Sequence, residues 1–280
     1  MPQRFSRFPR YLTGCAIAAA TVISPYAHSA TSAAYFPWIM DPGRSTTWNF
    51  IHDNCIAPAQ GKPVDKSCVQ VTTDYVIDKP TDGPAHFRVM PTVPITGIED
   101  SQLWVLAGPN YWKVGLDYKP NVEKAISPTF KFQEAQYGMA LNSIFHRSQD
   151  QLHIHLDCIH PSATDKLHSY AKTYANQLNS KTWTTLPEIK GEVFRARLID
   201  DADLSQTDPF RVLANDVLPE GMMLPQTLFV TDITVNGKKS LIMLNGSASE
   251  AAQAGQDISD GARGAGELLL DTECRLAKKS

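Results

Sequence analysis

The 280-residue chain lacks several features that mark common functional classes. It has no long run of basic residues, and its formal net charge is −3. Because a nucleic-acid-binding surface needs clustered lysine and arginine, we do not expect the protein to bind nucleic acid. The chain also lacks an apolar run of the roughly 20 residues that a membrane-spanning helix needs. Its apolar content of 42% and charged content of 20% are typical of a globular protein.

The first 29 residues differ from the rest of the sequence. Three arginines precede a short apolar run over residues 11–24, and the small residues Ala27 and Ser29 follow it. A basic start, a short apolar segment and a small-x-small site are typical of a secretory signal. We therefore predict that residues 1–29 are a signal peptide, or else an uncleaved anchor, and that the protein is exported.

Export to an oxidising compartment would allow disulfides to form. Four cysteines lie beyond the predicted signal segment: Cys55, Cys68, Cys158 and Cys274. They can pair in three ways, and four free thiols are the alternative. Our hypothesis pairs Cys55 with Cys68, which closes a short loop, and Cys158 with Cys274, which ties the central part of the chain to its C-terminal region.

The remaining sequence indicates many strands and few helices. Polar and apolar residues alternate in several segments that are separated by turn residues, as in half-buried strands. Asn236-Gly237 is typical of a two-residue hairpin turn. Strands are predicted over residues 68–78, 86–90, 138–145, 151–158, 193–199, 228–235 and 238–244, and helices over 100–106, 162–178 and 209–217. This order favours an α+β fold on an antiparallel sheet.

One of these predicted strands carries an unusual set of side chains. Strict alternation places Gln149, Gln151, His153, His155 and Asp157 on one face of an extended segment. Two histidines at alternate positions on a polar face can act as a nucleophile and its partner, or as two metal ligands. Both interpretations predict a catalytic site on this strand.

The metal interpretation uses His153, His155 and Asp157, which match the H-x-H-x-D part of the metallo-β-lactamase-like signature. That signature continues with a histidine where this chain has Cys158, and it needs a distant histidine, whereas no histidine follows His168. Ligands at alternate positions on one strand also spread poorly around a tetrahedral ion. A zinc-dependent hydrolase is kept as an alternative, and we predict no cofactor or resident metal.

The nucleophile interpretation is supported by residues outside the strand. The spacing of Asn142, Gln149, His153 and His155 resembles that of the histidine-triad (HIT) nucleotidyl hydrolases and transferases. The wider pattern consists of Met90-Pro91-Thr92, Ile95-x-Gly97-x-Glu99, Asn142-Ser143 and His153-Ile-His155-x-x-Cys158-Ile-x-Pro161. Within that superfamily, the pattern resembles most the bacterial CDP-diacylglycerol pyrophosphatases, over roughly residues 50–276.

The resemblance implies a fold of HIT type, with an antiparallel sheet and a few helices. We expect residues 30–280 to form a single catalytic domain. Its first β-rich half, residues 50–180, carries the histidine strand, and residues 181–280 form the second half. A further hypothesis is that the two halves make an intrachain pseudo-dimer, because single HIT subunits are about half this length and usually pair.

The resemblance also implies roles for individual residues. The spacing from Asn142 and Gln149 places His155 at the nucleophile position and His153 at the first triad position. Asp157 stands where the third triad histidine usually is. Counting one step earlier makes Gln151 the first member and His153 the nucleophile, and we prefer His155 because the upstream spacing fits only that register. The expected substrate-binding residues are Asn142, Gln149, Gln151 and Arg147.

The function implied is hydrolysis of CDP-diacylglycerol to CMP and phosphatidate through a cytidylyl-histidine intermediate. The substrate would be met at the membrane surface, in the periplasm or on the periplasmic face of the inner membrane. We expect a monomer or a weak homodimer with no obligate protein partner. Because the triad is incomplete, an exported nucleotide- or lipid-binding module with an inactive site is a second alternative.

Overall fold

The structure, a computed structural model, describes residues 43–105, 108–219, 221–248 and 266–279. The predicted signal segment, residues 1–29, lies outside these ranges. All described residues belong to one compact unit of the chain. None of the helices found in these ranges is long and apolar enough to cross a membrane.

The strands of the described ranges form one nine-stranded antiparallel sheet, so the prediction of an α+β fold is confirmed. The strand order is β1-β2-β3-β5-β4-β8-β9-β7-β6. The strands are β1 Cys68–Val71, β2 Tyr75–Asp78, β3 Phe87–Pro91, β4 Tyr137–Leu141, β5 Ile154–Cys158, β6 Thr184–Thr185, β7 Arg195–Ile199, β8 Gln226–Val235 and β9 Lys238–Ser247. The first predicted half supplies β1–β5 and the second supplies β6–β9, with β4 paired to β8. The pseudo-dimer stays a prediction.

Five α-helices within the described ranges accompany the sheet: α1 Thr46–Ile51, α2 Gln102–Val105, α3 Tyr111–Ile126, α4 Pro161–Thr173 and α5 Pro209–Val217. A π-helical turn, His52–Ile56, follows α1, and 3₁₀ turns cover Gly266–Leu269 and Ala277–Lys279. The central strands β4, β5 and β8 are largely buried on both faces, and the sheet lies between two separate apolar clusters. Leu156 of β5 packs with Trp112 of α3 in one cluster, and Phe229 of β8 packs with Leu167 of α4 in the other.

The hairpin predicted at Asn236-Gly237 is confirmed, since β8 and β9 pair on either side of it. The strand predicted over residues 68–78 is instead two strands. The Thr72 hydroxyl accepts hydrogen bonds from the backbone N–H groups of Asp74 and Tyr75, at 3.2 and 3.0 Å, and this turn lets β1 fold back on β2. Serine and threonine hydroxyls form such turns in competition with strand ladders.

Two disulfides join the cysteines as predicted. Cys55, in the turn after α1, bonds to Cys68 at the start of β1. Cys158, the last residue of β5, bonds to Cys274 in the C-terminal segment. The second disulfide holds that segment beside the strand that carries His155.

Candidate active site

His153 and His155 lie side by side at the beginning of β5. Their rings meet edge to face with centroids 4.8 Å apart. Both side chains are nearly buried. On β5 itself, Ile154 and Leu156 pack into the apolar core with α3, so the intervening His155 and Asp157 face the other side of the sheet.

The protonation of His153 is set by a backbone carbonyl. Its Nδ1 lies 2.6 Å from the carbonyl oxygen of Gln151. A carbonyl only accepts, so Nδ1 must carry the proton and Nε2 keeps its lone pair. Burial, together with the neighbouring His155 and Arg88, lowers the pKa of His153 to about 3. His153 is therefore a neutral imidazole with a fixed tautomer at physiological pH.

His155 faces a carboxylate from the far end of the chain. Its Nε2 lies 2.9 Å from Oε2 of Glu267, at ion-pair distance although not in the alignment of a good hydrogen bond. The other carboxylate oxygen of Glu267, Oε1, is 3.5 Å from Nε2 of His146. The backbone N–H of Glu267 donates to Oδ1 of Asn142 at 3.2 Å. Burial raises the pKa of Glu267, but His146, His155 and Asn142 outweigh that effect and hold the pKa well below its ordinary value.

A third imidazole, His86, completes the group. Its Nδ1 lies 3.0 Å from Oδ2 of Asp157, and its ring centroid is 5.3 Å from that of His155. Asp157 is fully buried, and its other oxygen accepts from the Cys158 N–H at 2.7 Å. Burial raises the pKa of the Asp157 carboxyl, partly offset by His86. Asp157 thus orients His86 and lines neither of the cavities at the site.

Two cavities meet at these histidines. The His153 cavity, of about 170 Å³, is lined by His153, Arg88, Asn142, His146 and Gln149, among others. The Lys190 cavity, of about 470 Å³, is lined by Lys190, His160, Leu268, Leu270 and Arg275, among others. Four residues line both cavities: Asp82, His86, His155 and Glu267. His155 therefore stands at the junction, whereas His153 lines only the smaller cavity.

Two of the predicted substrate-binding residues already have partners within the protein. Gln151 is fully buried, and its side-chain amide donates to the carbonyl oxygens of Pro91 and Val93, so it reaches neither cavity. The physical reason is that β5 begins only at Ile154, so the strict alternation expected from Gln149 onward is broken before the histidines.

Arg147, also predicted to bind substrate, lines the His153 cavity, but its charge is already matched. Its guanidinium makes two hydrogen bonds of 2.7 Å to Glu99 and one of 3.2 Å to Asp150. Gln149 lines the same cavity, and its side-chain oxygen accepts from the Thr47 N–H at 3.0 Å.

Four residues of the site were not predicted: His86, Arg88, His146 and Glu267. A sequence signal existed for Arg88, because Arg88 and His86 fall on the same face of the predicted strand 86–90. In the structure, Arg88 is the cross-strand partner of His155. The Arg88 guanidinium makes a bidentate pair of hydrogen bonds with the Asp78 carboxylate. Glu267 had no sequence signal, because it follows a Gly- and Ala-rich stretch far from the histidines.

The donor set does not fit the zinc alternative. His153 directs Nδ1 to a carbonyl, His155 faces Glu267, and Asp157 faces His86 and the backbone. In the ranges that the structure describes, no group of three His, Cys, Asp or Glu side chains is arranged to hold a metal ion.

Comparison with known proteins identifies the family of the chain. The family model described as CDP-diacylglycerol pyrophosphatase matches residues 42–278, a range that contains every site residue named above. A protein of Yersinia pestis named CDP-diacylglycerol pyrophosphatase is 30% identical over 174 residues, which cover 61% of this chain and 64% of the relative. The matched part is thus less than two thirds of that relative's length. Because the family model covers most of the chain, the protein belongs to the CDP-diacylglycerol pyrophosphatase family.

Proposed function

We propose that the protein hydrolyses the pyrophosphate bond of CDP-diacylglycerol to CMP and phosphatidate through a cytidylyl-histidine. The observation that carries this proposal is the fixed tautomer of His153, next to a second imidazole that faces a carboxylate. A neutral imidazole whose second ring nitrogen keeps its lone pair is a competent nucleophile at neutral pH. The family membership and the name of the Yersinia relative support the substrate.

We assign the nucleophile to His153. The upstream spacing of Asn142 and Gln149 favoured His155, but the contacts favour the register that begins at Gln151. The Gln151 carbonyl holds the proton on Nδ1 of His153, which leaves Nε2 for attack on phosphorus. His155 does not have this arrangement, because its Nε2 is directed to Glu267.

His155 and Glu267 form the proton-transfer pair of the proposal. An ionised carboxylate only accepts, so Glu267 favours a proton on Nε2 of His155. In the first step Nε2 of His153 bonds to the cytidylyl phosphorus and the bond from phosphorus to the phosphatidate oxygen breaks. His155, which enters this step as the imidazolium opposite the Glu267 carboxylate, gives that oxygen its Nε2 proton and becomes a neutral imidazole. In the second step water attacks phosphorus, His155 takes the water proton, and the phosphorus–nitrogen bond breaks to release CMP. His155 thus acts first as acid and then as base.

The other polar groups position these two histidines and the phosphates. Asn142 holds the backbone and the carboxylate of Glu267, so it acts through Glu267. Asp157 orients His86, whose ring contacts that of His155. Arg88 and Gln149 line the His153 cavity, where the Arg88 guanidinium, which Asp78 holds in place, has further N–H groups to donate to the diphosphate. Export to the periplasm is supported by the two disulfides.

The test is release of CMP from CDP-diacylglycerol in detergent micelles by the full protein, with and without EDTA. We expect release that EDTA does not change, because the proposed chemistry uses only side chains. Release abolished by EDTA would instead indicate a metal-dependent hydrolase. Absence of release, with retained binding of CMP or of the lipid, would indicate a binding module.

A further inference from the structure

We propose that the Lys190 cavity is the binding site for the departing lipid phosphate, a phosphate monoester attached to an apolar glycerolipid. This inference rests on the proposed function, and it assigns the two halves of the substrate to the two sides of His155. The geometry and the charges of the cavity lead to the same assignment.

The geometry concerns the direction in which the leaving group departs. Displacement at phosphorus places the attacking and leaving atoms roughly in line, on opposite sides of the phosphorus. His153, the proposed nucleophile, lines only the His153 cavity, whereas His155, the proposed proton donor to the leaving oxygen, lines both. The leaving half therefore departs past His155, away from His153, and the Lys190 cavity is the space on that side.

Cationic groups from separate parts of the chain meet at this cavity. Lys190 lies in the turn before β7, and Arg275 follows the disulfide residue Cys274. Between them lies His160, whose Nε2 is 3.0 Å from Nη1 of Arg275 and whose pKa is lowered by burial and by Lys190. Lys190 and Arg275 are exposed, so both can turn toward a phosphate.

The carboxylates of the cavity already face partners. Asp271 is buried, accepts from the Arg275 N–H at 2.7 Å and lies 3.7 Å from its guanidinium. Glu267 faces His155, and Oδ2 of Asp82 lies 3.8 Å from Nε2 of His86. Lys190, by contrast, has no ion pair within the described ranges. Its charge is therefore available to a ligand.

The remaining lining residues suit a lipid better than a nucleoside. Leu268 and Leu270 contribute half-buried apolar surface next to the cationic groups. Apart from Pro80, the residues that line the His153 cavity are polar, so the apolar surface lies on the Lys190 side of His155. A phosphate next to an ester-linked glycerol matches this combination of charge and apolar surface.

Product inhibition distinguishes the two halves of the substrate. Inhibition constants for CMP and for a soluble short-chain phosphatidate would be measured for the full protein and for K190Q, K190R and R275Q. The matched control is K172Q, which removes an exposed lysine from α4 away from the cavity. We expect K190Q to raise the inhibition constant of phosphatidate about tenfold, as for loss of one charge-assisted hydrogen bond, and to leave that of CMP unchanged. K190R should retain most of the phosphatidate inhibition.

A rise in the CMP constant instead would overturn the proposal by placing the nucleotide half in this cavity. Equal constants for K190Q and K172Q would also overturn it. If the wild-type protein released no CMP from the substrate, the proposed function would fail separately. In that case calorimetric titration of CMP and of phosphatidate into the same variants would measure their binding without turnover. The assignment of the cavity is thereby tested independently of the proposed function.

Discussion

At the scale of single residues, the partner of each imidazole determines its chemistry. His153 donates to the Gln151 carbonyl, His155 faces the Glu267 carboxylate, and His86 is paired with the buried Asp157. In the proposed mechanism, one residue type thus supplies a neutral nucleophile, a proton carrier and an oriented neighbour within a few ångströms. Hydrogen bonding of one ring nitrogen fixes the state of the other, and this is the general way in which histidines acquire distinct roles.

The low pKa of His153 predicts how stability depends on pH. In the unfolded chain a histidine takes its proton near pH 6.5, whereas in the folded protein His153 does so only at about 3. Between these values the unfolded state binds more protons, so acidification lowers the free energy of unfolding, by up to about 1.4 kcal/mol per pH unit. We expect His153→Asn to show a flatter loss of stability between pH 6 and pH 4 than the wild type.

Urea unfolding followed by circular dichroism at several pH values measures this difference. The control is His52→Asn, which replaces an exposed histidine and should leave the slope unchanged. Identical slopes for the wild type and His153→Asn would show that His153 is not held neutral in the folded protein.

At the scale of elements, the sequence predicted the pattern of strands better than their ends. Alternation located the strand that carries His155, and Asn236-Gly237 located the β8–β9 hairpin. The turn at Thr72 was missed, because its hydrogen bonds involve a hydroxyl in a segment that is otherwise rich in strand-forming residues. Gln151 was predicted to bind substrate for a similar reason, since a regular strand was extended through residues that belong to the preceding loop.

A close approach between two loops gives a prediction at this scale. Gly83, in the β2–β3 connection, has a φ of +85°, and a Cβ at this position would lie 2.0 Å from the carbonyl oxygen of Thr272. Gly237 also has a positive φ, +75°, but a Cβ there would meet nothing. We expect Gly83→Ala to lower the free energy of unfolding by about 2 kcal/mol or more, because backbone strain and a backbone clash add, and Gly237→Ala to cost about 1 kcal/mol.

Thermal and urea unfolding of the two variants measure this contrast. Thr272 and Asp82, the residue before Gly83, line the Lys190 cavity. Gly83→Ala should therefore also lower the rate of CMP release at temperatures where the protein is folded. Equal destabilisation by the two substitutions would show that the two loops are not in contact.

At the scale of the whole molecule, the site is assembled from segments that are far apart in sequence. His86 precedes β3, His155 lies on β5, and Glu267 comes from the 3₁₀ turn Gly266–Leu269. The Cys158–Cys274 disulfide ties the C-terminal segment to the end of β5. A local pattern can therefore identify the two central histidines, but no local pattern identifies a carboxylate that folding brings to them from another element. This is why His153, His155 and Asp157 were predicted from the sequence and Glu267 was not.

The most direct test of the account is to trap the covalent intermediate. The protein would be mixed with CDP-diacylglycerol that is labelled in the cytidylyl phosphate, quenched within one turnover, and mapped by mass spectrometry for the wild type, His153→Ala and His155→Ala. We predict label on His153 in the wild type, label that still forms on His153 in His155→Ala, and none in His153→Ala. Label on His155 that survives His153→Ala and is lost in His155→Ala would contradict the assignment and restore the register that the spacing of Asn142 and Gln149 favours.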